Sequence, residues 1–205
     1  MKEVKAGPVP LRQRQANETR RAIAHAARSL FAERGYAATS VEVVAEEAGV
    51  AARTVYAIFG TKKAILGAIC EEWLVEAGVM ETVAEGLAIR DLRQRLALVA
   101  YSSRRQWESE RGVRAMLEGA AASDAEVARM IASWKSDRAR SFRAIVLGLE
   151  GDLRRGIDAD RAGAIIRALT SAEIYSELVS GEGWTPAEYE QWLAGLLGEV
   201  LLPPP

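Results

Sequence analysis

Residues 39–66 read TSVEVVAEEAGVAARTVYAIFGTKKAIL, and this stretch decides the fold. Thr39 is a helix N-cap residue type, and Glu42 three positions on completes a capping box. Val41, Val44, Ala45 and Ala48 then share one helical face. Gly49 lets the chain reverse. A second short helix starts at Ala51 or Ala52, turns Val55 and Phe59 inward, and stops at Gly60. Thr61 caps a third, long helix through Ile65, Leu66, Ile69 and Trp73 to Met80. Two short helices joined by a tight turn can set one of them in the DNA major groove. DNA is therefore the first partner the pattern predicts.

Outward from this stretch the periodicity stays helical. Glu18 to Arg34 places Ile23, Ala26, Ala27, Leu30 and Phe31 on one face, with Gly35 where a C-terminal glycine belongs. Five further helices follow: Asp91–Ser109, Gly112–Ala122, Asp124–Leu149, a helix opening at Asp158 or Asp160 and running toward Leu178, and a last one opening at Thr185-Pro186. Strand-type alternation persists nowhere. The expected fold class is all-α with about nine helices.

The whole-chain net charge of −1 hides an asymmetry. Residues 1–63 hold 11 Lys and Arg against 6 Asp and Glu, whereas residues 64–205 hold 16 against 22. A basic front and an acidic rear fit a nucleic-acid end joined to something else. Residues 1–17, with Gly7, Pro8 and Pro10, are expected to form a flexible basic arm. Cys70 is the only cysteine, so no internal disulfide is possible, and no apolar run is long enough for a leader or a membrane span. A cytoplasmic protein is expected. One histidine, one cysteine, no phosphate-cradling glycine loop and no ligand-spaced His/Cys cluster argue against an enzyme, a metal site or a cofactor.

Residues 18–69 resemble the N-terminal DNA-binding domain of the TetR family of transcriptional regulators. The resemblance rests on Phe31-Ala-Glu-Arg-Gly35-Tyr36, Thr39-Ser40-Val41, Ala45-Glu-Glu-Ala48-Gly49-Val50, Thr54-Val55-Tyr56 and Phe59-Gly-Thr-Lys62-Lys-Ala-Ile-Leu66. A second, weaker resemblance lies in Gly183-Trp184-Thr-Pro-Ala-Glu-Tyr189-Glu-Gln-Trp192-Leu193, which is similar to the start of the last helix in many members. The resemblance implies three parts: the arm, a three-helix domain with a helix-turn-helix over 18–63, and a helical effector-binding and dimerisation domain over 64–205. It implies a DNA-binding regulator, most simply a repressor released from its operator by a small molecule.

Residue chemistry assigns the expected DNA contacts. Arg53 can fork to a guanine or clamp a phosphate, Ala57 can meet a thymine methyl, and the Thr54 and Tyr56 hydroxyls suit phosphate oxygens. Lys62, Thr39 and Ser40 sit at helix starts, where phosphate is favoured. Three positions depart from the family pattern: Ala51 in place of a serine cap, Ala52 in place of a basic residue, and Ile58 in place of histidine or tyrosine. Arg12, Arg14, Arg20 and Arg21 offer compensating charge.

In the acidic half, Trp73, Tyr101, Trp107, Met116, Met130, Trp134 and Phe142 are the expected lining of an effector pocket. Ile166, Leu169, Trp192, Leu193, Leu196, Leu197 and Val200 are the expected homodimer interface, two amphipathic helices from each protomer making a four-helix bundle. The alternative is a helical small-molecule-binding protein with weak or lost DNA binding, a reading that Ala51, Ala52 and Ile58 favour. Operator sequence, half-site spacing, effector and target genes are not encoded in any motif found.

Overall fold

The computed structural model describes residues 10–110 and 112–204, the side chains of Met80 and Val83 excepted. Helices account for nearly all of it: α1 (Leu11–Arg34), α2 (Val41–Glu47), α3 (Ala52–Phe59), α4 (Lys62–Glu76), α5 (Val79–Ala88), α6 (Leu92–Glu108), α7 (Val113–Ser123), α8 (Ala125–Val146), α9 (Ala159–Leu169), α10 (Ala172–Tyr175) and α11 (Pro186–Leu201). A 3-10 turn at Glu150–Asp152 follows α8, and a π-helical turn at Ser176–Gly181 follows α10. No strand occurs among the described residues. The expected all-α class is the observed one.

The chain divides into two compact units. One takes residues up to Cys70 together with Gly112–Val127; the other takes the remainder. In the first unit, α1 buries Ile23, Ala27, Leu30 and Phe31, α2 buries Val41 and Val44, and α3 buries Val55 and Phe59. Ile65, Leu66 and Ile69 of α4 are likewise removed from water. Each such aliphatic or aromatic side chain contributes about 1.5–3 kcal/mol on burial. Residues 112–122 group with this unit, not with the C-terminal half where the sequence pattern puts them: α7 buries Val113, Met116 and Ala120.

The second unit is built on α6, α9 and α11. Tyr189, Leu193, Leu197 and Leu201, four residues apart, form a fully buried stripe on α11. Leu92, Leu96 and Ala100 of α6 and Ala162 and Ile166 of α9 share that core. The helices are well capped. Thr185 and Glu188 form a reciprocal capping box with Pro186 in the first turn of α11. Asp91 and Asp158 cap α6 and α9 through the backbone N–H groups of Gln94 and Arg161. Arginines finish other helix ends: Arg105 donates to Ala77 O and Glu76 O at 3.2 and 3.3 Å, and Arg154 donates to Leu202 O at 3.2 Å.

Four expectations need correction. Of the arm expected over residues 1–17, positions 1–9 lie outside the described residues and positions 11–17 form the first turns of α1. No glycine or proline interrupts the chain between Pro10 and Gly35, and Pro10 O accepts from Gln13 N and Arg14 N at 2.9 and 3.1 Å. The cap of α2 is Ser40, whose hydroxyl accepts from Val43 N at 3.3 Å. The long helix from residue 61 to Met80 breaks at Gly78, whose φ of 68° is left-handed and lets α5 start afresh. The helix expected to reach Leu178 stops at Thr170, and Ser171 caps α10 anew.

Candidate nucleic-acid interface

Gly49, at φ 67°, makes the turn between α2 and α3. The reversal is closed by Val50 N donating to Ala45 O at 2.9 Å and Gly49 N to Glu46 O at 3.1 Å. Val55 and Phe59 hold α3 to the unit, at 1% and 8% exposure. The Arg20 guanidinium lies 4.6 Å above the Phe59 ring. With that side fixed, α3 turns Arg53, Tyr56 and Ala57 to solvent and leaves Thr54 half-buried. Ala51 at its N-cap makes no side-chain cap, as the missing serine predicts.

Tyr56 is 48% exposed, and its hydroxyl donates to Glu42 Oε1 at 3.1 Å. The Glu42 carboxyl is held below its usual range by its own backbone N–H, the Ser40 hydroxyl and the Tyr56 hydroxyl, in that order. Tyr56 is pushed upward, first by that bond to Glu42. This contact changes what Tyr56 can read. A phenol has one proton to give. With it given to a carboxylate, the oxygen offers lone pairs, which suit an adenine or cytosine amino group and not a phosphate oxygen. Glu42 escaped the sequence reading because it and Tyr56 are 14 positions apart, and only the packed turn brings them together.

Two expected contacts are withdrawn from the surface. Thr39 is 1% exposed, and its hydroxyl donates to Gly35 O at 2.9 Å and Leu30 O at 3.4 Å. Lys62 is half-buried, with Nζ donating to Tyr36 O at 2.7 Å and Thr39 O at 2.9 Å, 4.1 Å from the Tyr36 ring centroid. Burial lowers its pKa, against the opposing charge of Asp124. Lys62 therefore ties the start of α4 to the α1–α2 connection. Tyr36 itself is pushed up to about 12, by burial first and then by Asp124. Lys63 pairs with Glu126. Ser40, Arg53, Thr54, Tyr56 and Ala57 are left as one contiguous set of surface candidates.

The structure brings only part of the expected effector-pocket lining together: Trp107 and Phe142 flank the Arg138 guanidinium, with Trp73 against Trp107. Met116 belongs to the first unit and is buried there. In the second unit Trp73 and Trp107 stack at 5.7 Å, their indole N–H groups donating to Gln106 O at 3.1 Å and Thr170 O at 2.9 Å. Tyr101 lies under the Arg104 and Arg105 guanidiniums. Met130, Trp134 and Phe142 are half-buried along α8. Of the expected dimer residues, Ile166, Leu193 and Leu197 are 0% exposed within the single chain, so they are its own core. Leu169, Trp192, Leu196 and Val200 remain half-exposed. Trp184 meets Trp192 edge to face at 5.9 Å, beside an open depression lined also by Glu188 and Gln191.

The model of the family described as bacterial regulatory proteins, tetR family, matches residues 23–69, from the middle of α1 to the middle of α4. Among curated proteins none matches the chain in sequence. The fold is that of several solved regulators. NalD, the secondary repressor of the MexAB-OprM multidrug efflux pump in Pseudomonas aeruginosa, is 20% identical with a TM-score of 0.70 over 91% of this chain and 98% of its own. SmeT, solved with triclosan, is 20% identical with a TM-score of 0.73 over 91% and 92%. FadR from Bacillus subtilis, solved with stearoyl-CoA, is 21% identical with a TM-score of 0.64 over 86% and 96%.

Proposed function

From the premise that the chain belongs to the tetR family of bacterial regulatory proteins and is a DNA-binding transcriptional regulator, we propose that it works as a homodimeric repressor released from its operator by a small-molecule effector. The observation that carries this is the outward face of α3. Val55 and Phe59 anchor the helix while Arg53, Tyr56 and Ala57 stand exposed, with Ser40 at the start of α2. Arg53 is the guanine or phosphate contact, and Ser40 and Thr54 set register on the backbone. Tyr56, held by Glu42, accepts from a base amino group.

Leu169, Trp192, Leu196 and Val200 are the part of the expected interface still available to a second copy, since their neighbours on α9 and α11 fill the chain's own core. Two-fold pairing through them gives two reading heads for a two-fold operator. α4 and α8 each begin in the first unit and end in the second. An effector that favours one arrangement of these helices shifts the population away from the DNA-competent state, with a coupling of about 1–3 kcal/mol. Two proteins of similar fold are solved with small molecules of different kinds, SmeT with triclosan and FadR with stearoyl-CoA, which supports a small-molecule reading.

One observation favours the second reading, a small-molecule binder without DNA affinity: α3 is uncapped and Lys62 is engaged on carbonyl oxygens. Binding of the full chain to the DNA upstream of its own gene separates the two. The regulator gives sequence-preferring affinity that falls steeply with salt. No binding at low salt leaves the carrier. A ligand that binds the second unit without changing operator affinity ends the release mechanism.

A further inference from the structure

Several arginines of the second unit are neutralised, in two ways. Arg104 sits between Glu108 and Glu190, Arg143 meets Asp160 and Arg140 meets Asp137. Arg95, Arg105 and Arg154 lie on the terminal carbonyls of helices and turns. Arg138 of α8 has no carboxylate and only one distant terminal carbonyl. Its Nη1 donates to the neutral Gln106 Oε1 at 3.0 Å. Its Nη2 is 3.5 Å from Thr170 O, which already accepts from the Trp107 indole at 2.9 Å. No carboxylate pairs with it among the described residues. The guanidinium instead lies 4.9 Å from the Phe142 ring centroid and 5.4 Å from that of Trp107, and Trp73 backs Trp107 at 5.7 Å.

A cation in such surroundings is costly without a counter-charge. Burial lowers the Arg138 pKa to about 10, which still leaves it charged at neutral pH. Five N–H donors meet two acceptors, one of them at the limit of a hydrogen bond. Among the described residues no side-chain nitrogen is both sealed from solvent and unpartnered, so the remaining donors stay reachable. Beside them runs a second polar pair, Ser103 Oγ and Tyr189 OH at 3.0 Å, with Tyr175 edge-on to Tyr189 at 4.9 Å. Buried polar and aromatic groups thus surround one unneutralised guanidinium.

We propose that Arg138 is the anchor of the effector site and that the effector is a monocarboxylate with an apolar body: the carboxylate takes the guanidinium fork, and the body lies on Trp107 and Phe142, with Trp73 behind Trp107. This rests on the effector reading above. A neutral ligand leaves the charge uncompensated, and a cationic one is repelled.

The test uses the full-length protein with decanoate, 4-phenylbutyrate and their primary amides, followed by thermal shift and tryptophan fluorescence. Both acids are expected to raise Tm and to bind roughly 10- to 100-fold more tightly than the amides, the factor of a charge-assisted bond. Arg138→Gln is expected to equalise acid and amide while the ligand-free Tm holds or rises. Arg138→Lys, which keeps the charge without the fork, retains part of the preference. Equal binding of acids and amides overturns the proposal, as does failure of both acids to bind. A lowered Tm in Arg138→Gln with the acid preference intact overturns it too. The same compounds added to the protein–DNA complex separate the two ideas. Acid binding without release keeps this site and ends the effector reading. Release by the amides as readily as by the acids keeps the effector reading and ends this site.

Discussion

Arg53 and Arg138 show how differently the two units use the same side chain. In the first unit the candidate contact groups stand on the exposed face of an eight-residue helix, with Val55 and Phe59 as its buried anchors. In the second unit the polar groups are inside: Arg95, Ser103, Gln106 and Thr170 are all buried. An exposed arginine costs little and waits for a phosphate or base. A buried one must be matched by its surroundings.

The comparison is broken most directly at Leu193, which lies in the second core and not at a surface. Leu193→Ala is expected to cost about 2–5 kcal/mol by the usual measure for a filled core position. Urea melts check this; a variant that folds normally but becomes monomeric returns Leu193 to the interface. Arg53→Ala is next. It is expected to weaken operator binding by about 1–3 kcal/mol with an unchanged melt, read by fluorescence anisotropy. An unchanged operator affinity removes α3 from the contact set.

Lys62→Met examines a half-buried cation of the first unit. It leaves Thr39 O without the Lys62 donor and Tyr36 O with the Thr39 N–H alone, and is expected to cost about 1–3 kcal/mol of stability. If it lowers DNA affinity at unchanged stability, Lys62 is a phosphate contact after all. Tyr36 gives the pH dependence. Its folded pKa is raised from 10.0 to about 12, so its contribution is complete below pH 10 and is lost as pH rises toward 12. Tyr36→Phe is expected to flatten the fall in Tm across that window, and an equal fall in wild type and variant places the effect elsewhere. Smallest is Glu42→Gln. It lets Tyr56 donate as well as accept, relaxing preference at one base pair while total affinity holds or rises with the loss of a negative charge near DNA. Competition with single-base operator variants reads it.

The fold was legible because its signals are local. Helical periodicity, Gly49, Gly60 and the Thr185-Pro186 start are each complete within a few residues, and Arg53, Tyr56 and Ala57 emerge on the surface as helical spacing requires. Errors came where two adjacent residues compete for one role. Thr39 and Ser40 are both cap types, and only the nearby carbonyl oxygens of Leu30 and Gly35 decide which turns inward. Apolar stripes on α9 and α11 look alike whether they meet the same chain or a second copy. The pattern records that Leu193, Leu197 and Ile166 are buried without recording against what.

The sequence by itself determined the all-helical class, the helix-turn-helix with its outward residues, and the division of charge between the two ends. These follow from propensity and periodicity, which act over one or two turns of chain. Only the tertiary structure decided that α7 joins the first unit, that Lys62 serves the fold, that Tyr56 is bound to Glu42, and that Arg138 meets no carboxylate among the described residues. Each of those depends on groups 14 or more positions apart, and what such a group can do is set by the neighbours that packing brings to it.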